Sequence, residues 1–219
     1  MNASEFKEPV IQTDDILSIN IQTIDFASSS ALNQAPVFSG GGATGAGTLP
    51  VSGFLVDKSG NVEMPMLGII KLSGLTTTAA KELIRSKAAK YYKDPTVQVR
   101  FANYKITVLG EVVKPATYTV PNEKVTVLDA ISMAGDLTIF GKRENVLLIR
   151  DNGNKKEMIR LDLTSSNLIG SPYFYLKQND VLYVEPTKAK IAANNAPRNQ
   201  MITIGISVVA LLITIISRF

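Results

Sequence analysis

The sequence predicts an α+β fold made of two small mixed α/β blocks and an apolar C-terminal helix. Short runs of alternating apolar and polar residues, typical of strands, recur through residues 9–186 and are separated by Gly, Pro, Asn and Asp. Two stretches in that range show the apolar spacing of a helix instead. Residues 201–217 contain no charged side chain, which sets this segment apart from both blocks.

The composition excludes several classes of enzyme and gives little support to nucleic-acid binding. The chain has 219 residues, of which 45% are hydrophobic and 19% charged, and its formal net charge is +4. Because it contains neither Cys nor His, it has no thiolate nucleophile, no histidine-based triad and none of the commonest zinc ligands. The lysines are scattered among acids, so no nucleic-acid partner is predicted.

The first block, residues 9–103, begins with a predicted strand over Ile16–Ile21, where apolar and polar residues alternate. Residues 27–53 are rich in small residues and cannot bury much surface, so a flexible insertion is predicted there. A hairpin is predicted next. Its strands are Phe54–Val56 and Val62–Met64, and its turn is Asp57–Asn61.

A helix is predicted in LTTTAAKELIRSKAAKYY, residues 75–92, with Thr76 or Thr77 as its N-cap. The residues expected on its apolar face are Ala80, Leu83, Ile84, Ala88 and Tyr91. Asp94–Pro95 ends the helix, because the residue before a proline disfavours helical backbone. The run TVQVRF that follows predicts a strand.

The second block, residues 104–186, opens with a predicted hairpin whose two strands flank turn-forming residues. These strands are Lys105–Leu109 and Thr117–Val120. A short helix is predicted next, capped by Thr126 and ended by Gly135. The residues expected on its apolar face are Leu128 and Ile131.

Two further strands are predicted in NVLLIR and EMIRLDL, joined by the hairpin turn DNGN at residues 151–154. The block closes with DVLYVEP, and this run echoes the start of the first block. Asp15 and Asp180 each precede a strand in which apolar residues alternate with others. The echo predicts that the strands after Asp15 and Asp180 begin from similar turns.

Residues 187–200 are a predicted polar linker, and residues 201–217 a predicted transmembrane helix. Seventeen helical residues span about 26 Å, which is at the short end for a hydrocarbon core. A sorting tail that is later removed is one alternative. The other alternative is a buried helix of a soluble protein. It is disfavoured because a helix that is apolar on all sides needs other parts of the protein to cover every face.

Small or hydroxyl-bearing residues recur along one face of this segment. They are Thr203, Ser207, Ala210, Thr214 and Ser217. Their spacing of four and three residues places them in one stripe of about 80° on a helix. The stripe predicts either a seam where helices approach closely or the wall of a polar lumen. Simple tolerance of Ser and Thr in membrane helices is the alternative explanation.

No catalytic, cofactor-binding or metal-ligating residue is predicted. GGGATG at residues 40–45 fits Gly-x-Gly-x-x-Gly, but no clear strand precedes it and no helix follows, so a dinucleotide site is not supported. The aspartates Asp14, Asp15, Asp57 and Asp180 stand where turn chemistry already explains them. A hydrolase that uses a carboxylate pair stays open as an alternative without positive support.

The order of these motifs resembles the bacterial outer-membrane polysaccharide export (Wza-like) family. VIQTDDILSINI is similar to the opening signature of that family, and residues 53–101, from GFLVDKSGNVEMP to DPTVQVRF, follow its polysaccharide export domain. VLGEVVKPATYTVPNEKVTVLDAISMAGDLT is similar to a soluble-ligand-binding β-grasp (SLBB) domain. The chain departs from the pattern at Asp14, Ala116 and Asp136, where the family usually has Gly.

The resemblance implies an export domain over residues 9–103, with the insertion 27–53, and a β-grasp-like SLBB domain over residues 104–186. It implies no cofactor and no enzymatic activity. The implied function is that of an oligomeric translocon in the outer membrane, with its bulk in the periplasm. It would export capsular or extracellular polysaccharide through a ring and an α-helical barrel.

The implied partners are further copies in a homo-oligomeric ring, for example an octamer, an inner-membrane co-polymerase of the tyrosine-autokinase type, the polysaccharide and outer-membrane lipid. A membrane-anchored ligand-binding β-grasp module without a pore is the alternative function. MNASEFKEPV lacks the apolar core of a signal peptide. Because family members usually carry a lipidated N-terminal Cys, a lipoprotein is the implied native precursor.

Overall fold

The computed structural model describes residues 4–24, 33–38, 51–151 and 155–190, and in addition residues 192, 201, 204, 206, 210, 213 and 214. These residues form β-sheets with a few short helices, which confirms the predicted α+β class. None of the helices described combines the length and the hydropathy that a membrane crossing requires. Most of the predicted transmembrane helix, residues 201–217, lies outside the described residues.

The strands and helices are short, as expected for two small blocks. In chain order the described strands are β1 (Ile16–Gln22), β2 (Val37–Phe38), β3 (Val51–Ser52), β4 (Phe54–Leu55), β5 (Asn61–Met64), β6 (Gly68–Lys71), β7 (Thr96–Phe101), β8 (Lys105–Gly110), β9 (Ala116–Thr119), β10 (Gly141–Asp151), β11 (Lys156–Leu161) and β12 (Val181–Pro186). The α-helices with described bounds are α1 (Thr77–Ala88) and α2 (Val127–Met133), and a 3-10 helix covers Ser166–Gly170. Residues 188–190 and 192, and the described residues between 201 and 214, are also helical.

The first block is built on an antiparallel sheet, ordered β4-β1-β7 in the described part of the chain. Along β1 and β7, buried side chains alternate with exposed ones, because one face of the sheet covers the core and the other faces water. The two strands that the alternation predicts, Ile16–Ile21 and TVQVRF, are therefore confirmed.

The predicted hairpin of Phe54–Val56 with Val62–Met64 is wrong. Its turn exists, since Asp57 Oδ1 accepts hydrogen bonds from the backbone N–H groups of Ser59 and Asn61, both at 2.8 Å. Beyond the turn, however, β4 pairs with β1, and β5 pairs with β6. Pairing with β1 places the buried Phe54 opposite Leu17, and a local turn does not decide which strand lies beside another.

Helix α1 begins where the sequence predicts but ends earlier than predicted. Thr76 is the N-cap, and its side chain accepts a hydrogen bond from the backbone N–H of Ala79 at 3.2 Å. The predicted face residues that pack into the core are Ala80, Leu83, Ile84 and Ala88. Tyr91 is 67% exposed, because the helix stops at Ala88, so its predicted place on the apolar face is wrong.

The strands of the second block form one mixed sheet, ordered β11-β10-β12-β8-β9 among the described residues. The predicted pairs, β8 with β9 and β10 with β11, are both antiparallel and are confirmed. β12 lies between them, antiparallel to β10 and parallel to β8. The first and last strands of the block are therefore neighbours.

Helix α2 begins and ends as the sequence predicts. Thr126 is the N-cap of a capping box: Thr126 Oγ1 accepts from the backbone N–H of Asp129 at 3.1 Å, and Asp129 Oδ2 accepts from the backbone N–H of Thr126 at 2.9 Å. Gly135 follows the helix with a φ of +75°, a left-handed value that glycine adopts without strain.

One residue of the apolar face of α2 was predicted incorrectly. Ile131 is buried as predicted, but Leu128 is 45% exposed. Val127 and Ala130 are buried in its place. Val127, Ala130 and Ile131 have the i, i+3, i+4 spacing of one helix face, and Leu128 lies about 100° away from Val127.

Part of the predicted insertion, residues 27–53, is described. β2 and β3 pair antiparallel, and Asn33 brackets the backbone of Ile21: Oδ1 accepts from Ile21 N at 2.8 Å, and Nδ2 donates to Ile21 O at 2.9 Å. The insertion is thus fastened to β1 at Asn33. The GGGATG run lies outside the described residues, and so do Asn152–Asn154 of the DNGN turn.

Buried side chains from the two blocks belong to one continuous core. The rings of Phe101 and Tyr104 meet edge to face, with centroids 5.9 Å apart. The buried Tyr104 hydroxyl donates to Leu176 O at 3.0 Å. Burial raises the pKa of Tyr104, and the negative charge of Asp180 raises it further.

A buried ion pair holds the centre of the second sheet. Arg150 of β10 and Asp180, directly before β12, are 3% and 1% exposed. Arg150 Nη2 lies 2.6 Å from Asp180 Oδ2, and Arg150 Nε lies 3.0 Å from Asp180 Oδ1. Arg150 Nη2 also donates to Tyr175 O at 3.0 Å, so the guanidinium joins β10 to the approach of β12. The sequence analysis found the aspartate but not its arginine.

We expect Asp180→Asn to lower the free energy of unfolding by ~3–5 kcal/mol, because it leaves the buried charge of Arg150 without a counter-ion. Urea unfolding followed by circular dichroism measures the change. Adding Arg150→Met to this variant should recover part of the loss, since the unpaired charge is then removed.

The matched control is Asp136→Asn, which takes the counter-ion from Arg143 in a pair whose side chains are 54% and 48% exposed. Because water screens this pair, we expect the variant to lose less than about 1 kcal/mol. Equal losses for Asp180→Asn and Asp136→Asn would show that burial of the Arg150 pair has no energetic consequence.

Candidate functional site

Two similar turns lie directly before β1 and β12, where the two blocks meet. Asp15 Oδ2 and Asp180 Oδ2 each accept a hydrogen bond, at 2.7 Å, from the backbone N–H three residues earlier. The residue before each aspartate has a left-handed backbone, with a φ of +68° at Asp14 and +65° at Asn179. The similarity that the sequence echo predicts is therefore confirmed. Asp14 adopts this conformation where the family signature has Gly.

The two turns are in direct contact. Gln178 Nε2 donates to Asp15 Oδ1 at 2.9 Å, and it lies 3.4 Å from Asn103 Oδ1. Asn103 Oδ1 also accepts from the backbone N–H of Ile16 at 3.0 Å. Burial raises the pKa of Asp15, against the hydrogen bonds from Gln12 and Gln178, which lower it. A partly buried polar joint thus connects the turns before β1 and β12.

A groove of about 550 Å³ lies between the start of α1, β7 and the loop after β9. Residues of its floor are apolar and buried: Val99, Phe101, Tyr104 and Val120. Polar residues of its rim include Glu8, Thr77, Thr78, Arg100, Asn122 and Glu123. An apolar floor with a few convergent polar groups is the usual character of a ligand site.

Two glutamates of the rim accept hydrogen bonds from the first turn of α1. Thr77 Oγ1 donates to Glu123 Oε2 at 2.9 Å, and Thr78 Oγ1 donates to Glu8 Oε1 at 3.0 Å. Burial raises the pKa of the half-buried Glu123, the hydrogen bond from Thr77 lowers it, and the nearby charge of Glu8 raises it. The rim therefore links the N-terminal segment, the first block and a loop of the second block.

Lys124 lies over two aromatic rings at the edge of this groove. Its Nζ is 5.8 Å from the ring centroid of Phe6 and 5.4 Å from that of Tyr175. The rings of Phe6 and Tyr175 meet edge to face at 5.4 Å, and Phe174 meets Tyr175 at 5.3 Å. The N-terminal segment and the segment before β12 therefore meet at this edge of the groove.

A second groove, of about 490 Å³, lies on the outward face of β1 and β7. The cross-strand partners on this face are polar: Ser18 with Arg100, Asn20 with Gln98, and Gln22 with Thr96. Val99 and Arg100 line both grooves, so the grooves adjoin one another at β7. We call the two grooves together the polar groove surface.

The chemistry of the polar groove surface favours binding of hydroxylated ligands. Its amide, hydroxyl and guanidinium groups can donate and accept hydrogen bonds around a neutral ligand, and its apolar floor can cover the face of a ring. In the described residues no group of three or more Asp or Glu is placed to hold a metal ion. Nothing in this geometry singles out a nucleophile or a general base.

The predicted stripe of the C-terminal segment is only partly described. Ala210 and Thr214 are helical and exposed, and Thr214 Oγ1 donates to Ala210 O at 2.8 Å, one turn earlier. Thr203, Ser207 and Ser217 lie outside the described residues. The assignment of these five residues to a pore wall or a helix seam stays a prediction.

Sequence reasoning did not find the polar groove surface. The alternation in ILSINIQ and TVQVRF predicts an outward polar face on each strand, and this signal was available. That Asn20 lies opposite Gln98 depends on the pairing of strands about 75 residues apart in the chain, which no local pattern encodes. The contact of Thr77 with Glu123 likewise depends on how the blocks pack.

We expect Glu123→Gln to be more stable than the wild type at pH 7. Because the folded protein raises the pKa of Glu123, ionisation costs stability as the pH rises from the usual glutamate range through the raised value. Glutamine cannot ionise and can still accept from Thr77. The difference in unfolding free energy, measured by urea unfolding, should therefore shrink as the pH falls through the raised pKa of Glu123 and should be smallest below about 4.

Glu82→Gln, at an exposed position of α1, is the control for removal of a surface charge. It should change stability little across the same pH range. A Glu123→Gln variant less stable than the wild type at pH 7 would mean that the charged carboxylate stabilises the groove, contrary to this prediction.

Comparison with known proteins agrees with the motifs and the fold. The family model "Polysaccharide biosynthesis/export protein" matches residues 3–102, and the model "SLBB domain" matches residues 105–161. The EPS I polysaccharide export outer membrane protein EpsA of Ralstonia solanacearum is 29% identical over 145 residues, or 64% of this chain and 38% of that protein. EpsA of Ralstonia nicotianae is 29% identical over 147 residues, or 65% of this chain and 38% of that protein.

The aligned part of the chain thus spans 38% of the length of these curated relatives. The two family models follow one another in the order that the sequence motifs predict, and the boundary between them falls at residues 102–105, beside the joint at Asn103. The chain therefore matches a polysaccharide export domain followed by an SLBB domain, and both matches support its resemblance to the Wza-like polysaccharide export family.

Proposed function

We propose that this chain is a component of an oligomeric outer-membrane translocon that exports capsular or extracellular polysaccharide from the periplasm to the cell surface. The observation that carries the proposal is the order of an export domain, an SLBB domain and a charge-free apolar segment in one chain. The relatives described above are polysaccharide export outer membrane proteins. The role is transport, in which the polymer is moved and no bond of it is broken.

Residues 201–217 are proposed to be the part of the chain that crosses the membrane. The run has no charged residue and, as a helix, is about 26 Å long. The hydrogen bond from Thr214 to Ala210 supports this role, because it satisfies a hydroxyl inside its own helix, without help from water. Both blocks would then lie in the periplasm, on one side of the segment.

A homo-oligomeric ring would bring several copies of this segment together as an α-helical barrel. The stripe of Thr203, Ser207, Ala210, Thr214 and Ser217 is proposed to line the lumen or the seam between neighbouring helices. Hydroxyl groups suit a hydrated sugar polymer that must pass without sticking. The inner-membrane co-polymerase of the tyrosine-autokinase type is the proposed partner that delivers the polymer, on the strength of the family resemblance.

The second candidate function is a membrane-anchored ligand-binding module without a pore. The polar groove surface favours it, because one chain suffices to form both grooves. Electron microscopy of the detergent-extracted full chain separates the two functions. Rings support the translocon, whereas monomers would support the anchored module.

We expect Ser207→Leu and Thr214→Leu to impair export although the segment still inserts in the membrane. Both changes keep the segment apolar, but they add bulk where helices approach or where the polymer passes. Ring stability in detergent and polymer export in cells that lack their own exporter are the two measurements. Lost rings would place the stripe at the seam, and lost export with intact rings would place it at the lumen.

The controls are Val208→Leu and Leu212→Ile, which change side-chain shape on other faces of the same segment. These variants should behave as the wild type in both measurements. Stripe variants that match these controls would show that the small residues have no special role and that the segment is a plain anchor.

A further inference from the structure

The second block has two opposite ends. The parallel strands β8 and β12 both begin beside the first block, where Lys105 follows the joint and Asp180 precedes β12. Both strands run away from that joint and end at Gly110 and Pro186. The end of the block at Gly110 and Pro186 therefore faces away from the first block. We call it the exit end, because the chain leaves the block there.

Three segments of backbone are fastened together at the exit end: residues 110–114, 134–140 and 186–190. Val113 N donates to Asp136 O at 3.0 Å, and Thr138 N donates to Glu111 O at 3.2 Å. Thr187 N donates to Phe140 O at 2.7 Å. The start of the linker is therefore held against the loop that contains Ile139.

Large apolar side chains are exposed on these segments. Ile139 is 91% exposed and Val113 is 56% exposed, although Leu137 and Val112, within two residues of them in sequence, are buried. Met133, at the end of α2, is also exposed. These side chains place exposed apolar surface on and beside segments that backbone hydrogen bonds hold in position.

The charges of the exit end suit an anionic surface. Its three segments carry three lysines and two acids. Both acids are already paired, Glu111 with Lys190 and Asp136 with Arg143, and these hydrogen bonds hold the pKa of each carboxyl below its usual value. Lys114 and Lys188 add positive charge beside the exposed apolar side chains. Basic residues beside apolar tips are typical of protein surfaces that contact lipid headgroups.

The chain itself brings this end close to the apolar segment. The ion pair of Lys190 with Glu111 holds the linker to the block up to residue 190. Only ten residues separate Lys190 from Met201, where the apolar run begins. Even fully extended, ten residues reach no more than ~35 Å. If residues 201–217 lie in a bilayer, the exit end is therefore held near its surface.

We propose that the exit end rests on the lipid bilayer surface, with Ile139 and Val113 in the headgroup region. This inference rests on the proposed function, because it takes the apolar segment to be in the membrane. The contact would orient the second block, and with it the polymer path, relative to the membrane. A second protein subunit is a poorer occupant, since a stable interface takes about 20–30 residues a side and the exit end offers three exposed apolar side chains.

Single tryptophans test the proposal, because the chain contains none. Ile139→Trp reports on the exit end. Met158→Trp, at a 67%-exposed position of the edge strand β11, is the control within the same block. Val208→Trp reports separately on the apolar segment. Each full-length variant is reconstituted into vesicles of zwitterionic lipid, with or without an anionic phospholipid, that contain a brominated phospholipid as quencher.

We expect the fluorescence of Trp at position 139 to shift to shorter wavelength on reconstitution and to be quenched several-fold more than at position 158. Anionic lipid should strengthen the effect at 139. Quenching at 208 without quenching at 139 would overturn the inference and leave the proposed function intact. Equal quenching at 139 and 158 would also overturn it. No quenching at 208 would count against the membrane segment itself, whereas quenching at 139 alone would still support lipid contact by the exit end.

Discussion

Asp180 is the side chain on which the second sheet depends. Its carboxylate balances the buried charge of Arg150 on β10 and closes the turn before β12, while its carbonyl accepts from Thr107 N of β8 at 2.9 Å. Among the described strands, β12 joins the hairpin of β8 and β9 to the hairpin of β10 and β11. If the turn at Asp180 did not position the start of β12, the sheet would separate into two hairpins. Isolated hairpins are only marginally stable in water.

The same turn is used at Asp15, and contact between the two turns connects the blocks. Gln178 reaches Asp15 from the second block, and Asn103 supports the contact from the junction of the two. Because these groups are largely buried and hydrogen bonded, a change in their relative position would leave polar atoms without partners. The groove between α1 and the loop at Glu123 likewise depends on the relative position of the blocks, because residues of both line it.

Because β8 and β12 are parallel, their first residues lie at one end of the second block and their last residues at the other. At one end of these strands is the polar joint with the export domain, and at the other end the linker leaves toward the apolar segment. If the apolar segment lies in the membrane as proposed, the SLBB domain would be a spacer between the export domain and the bilayer. The polar groove surface lies on the export-domain side, and the exposed apolar side chains lie at the exit end.

The sequence by itself determined the α+β class, the N-cap of α2 and the main strands, and it narrowed the N-cap of α1 to Thr76 or Thr77, because turn chemistry, capping and apolar periodicity are local. The order of its motifs gave the family resemblance. Only the tertiary structure decided that β4 pairs with β1 instead of β5, that Leu128 points to water while Val127 is buried, and that Arg150 neutralises Asp180. Alternation shows which side chains of a strand share a face, but not which strand lies beside it. That choice depends on which distant residues can be buried and hydrogen bonded together, and the grooves and the exit end both follow from it.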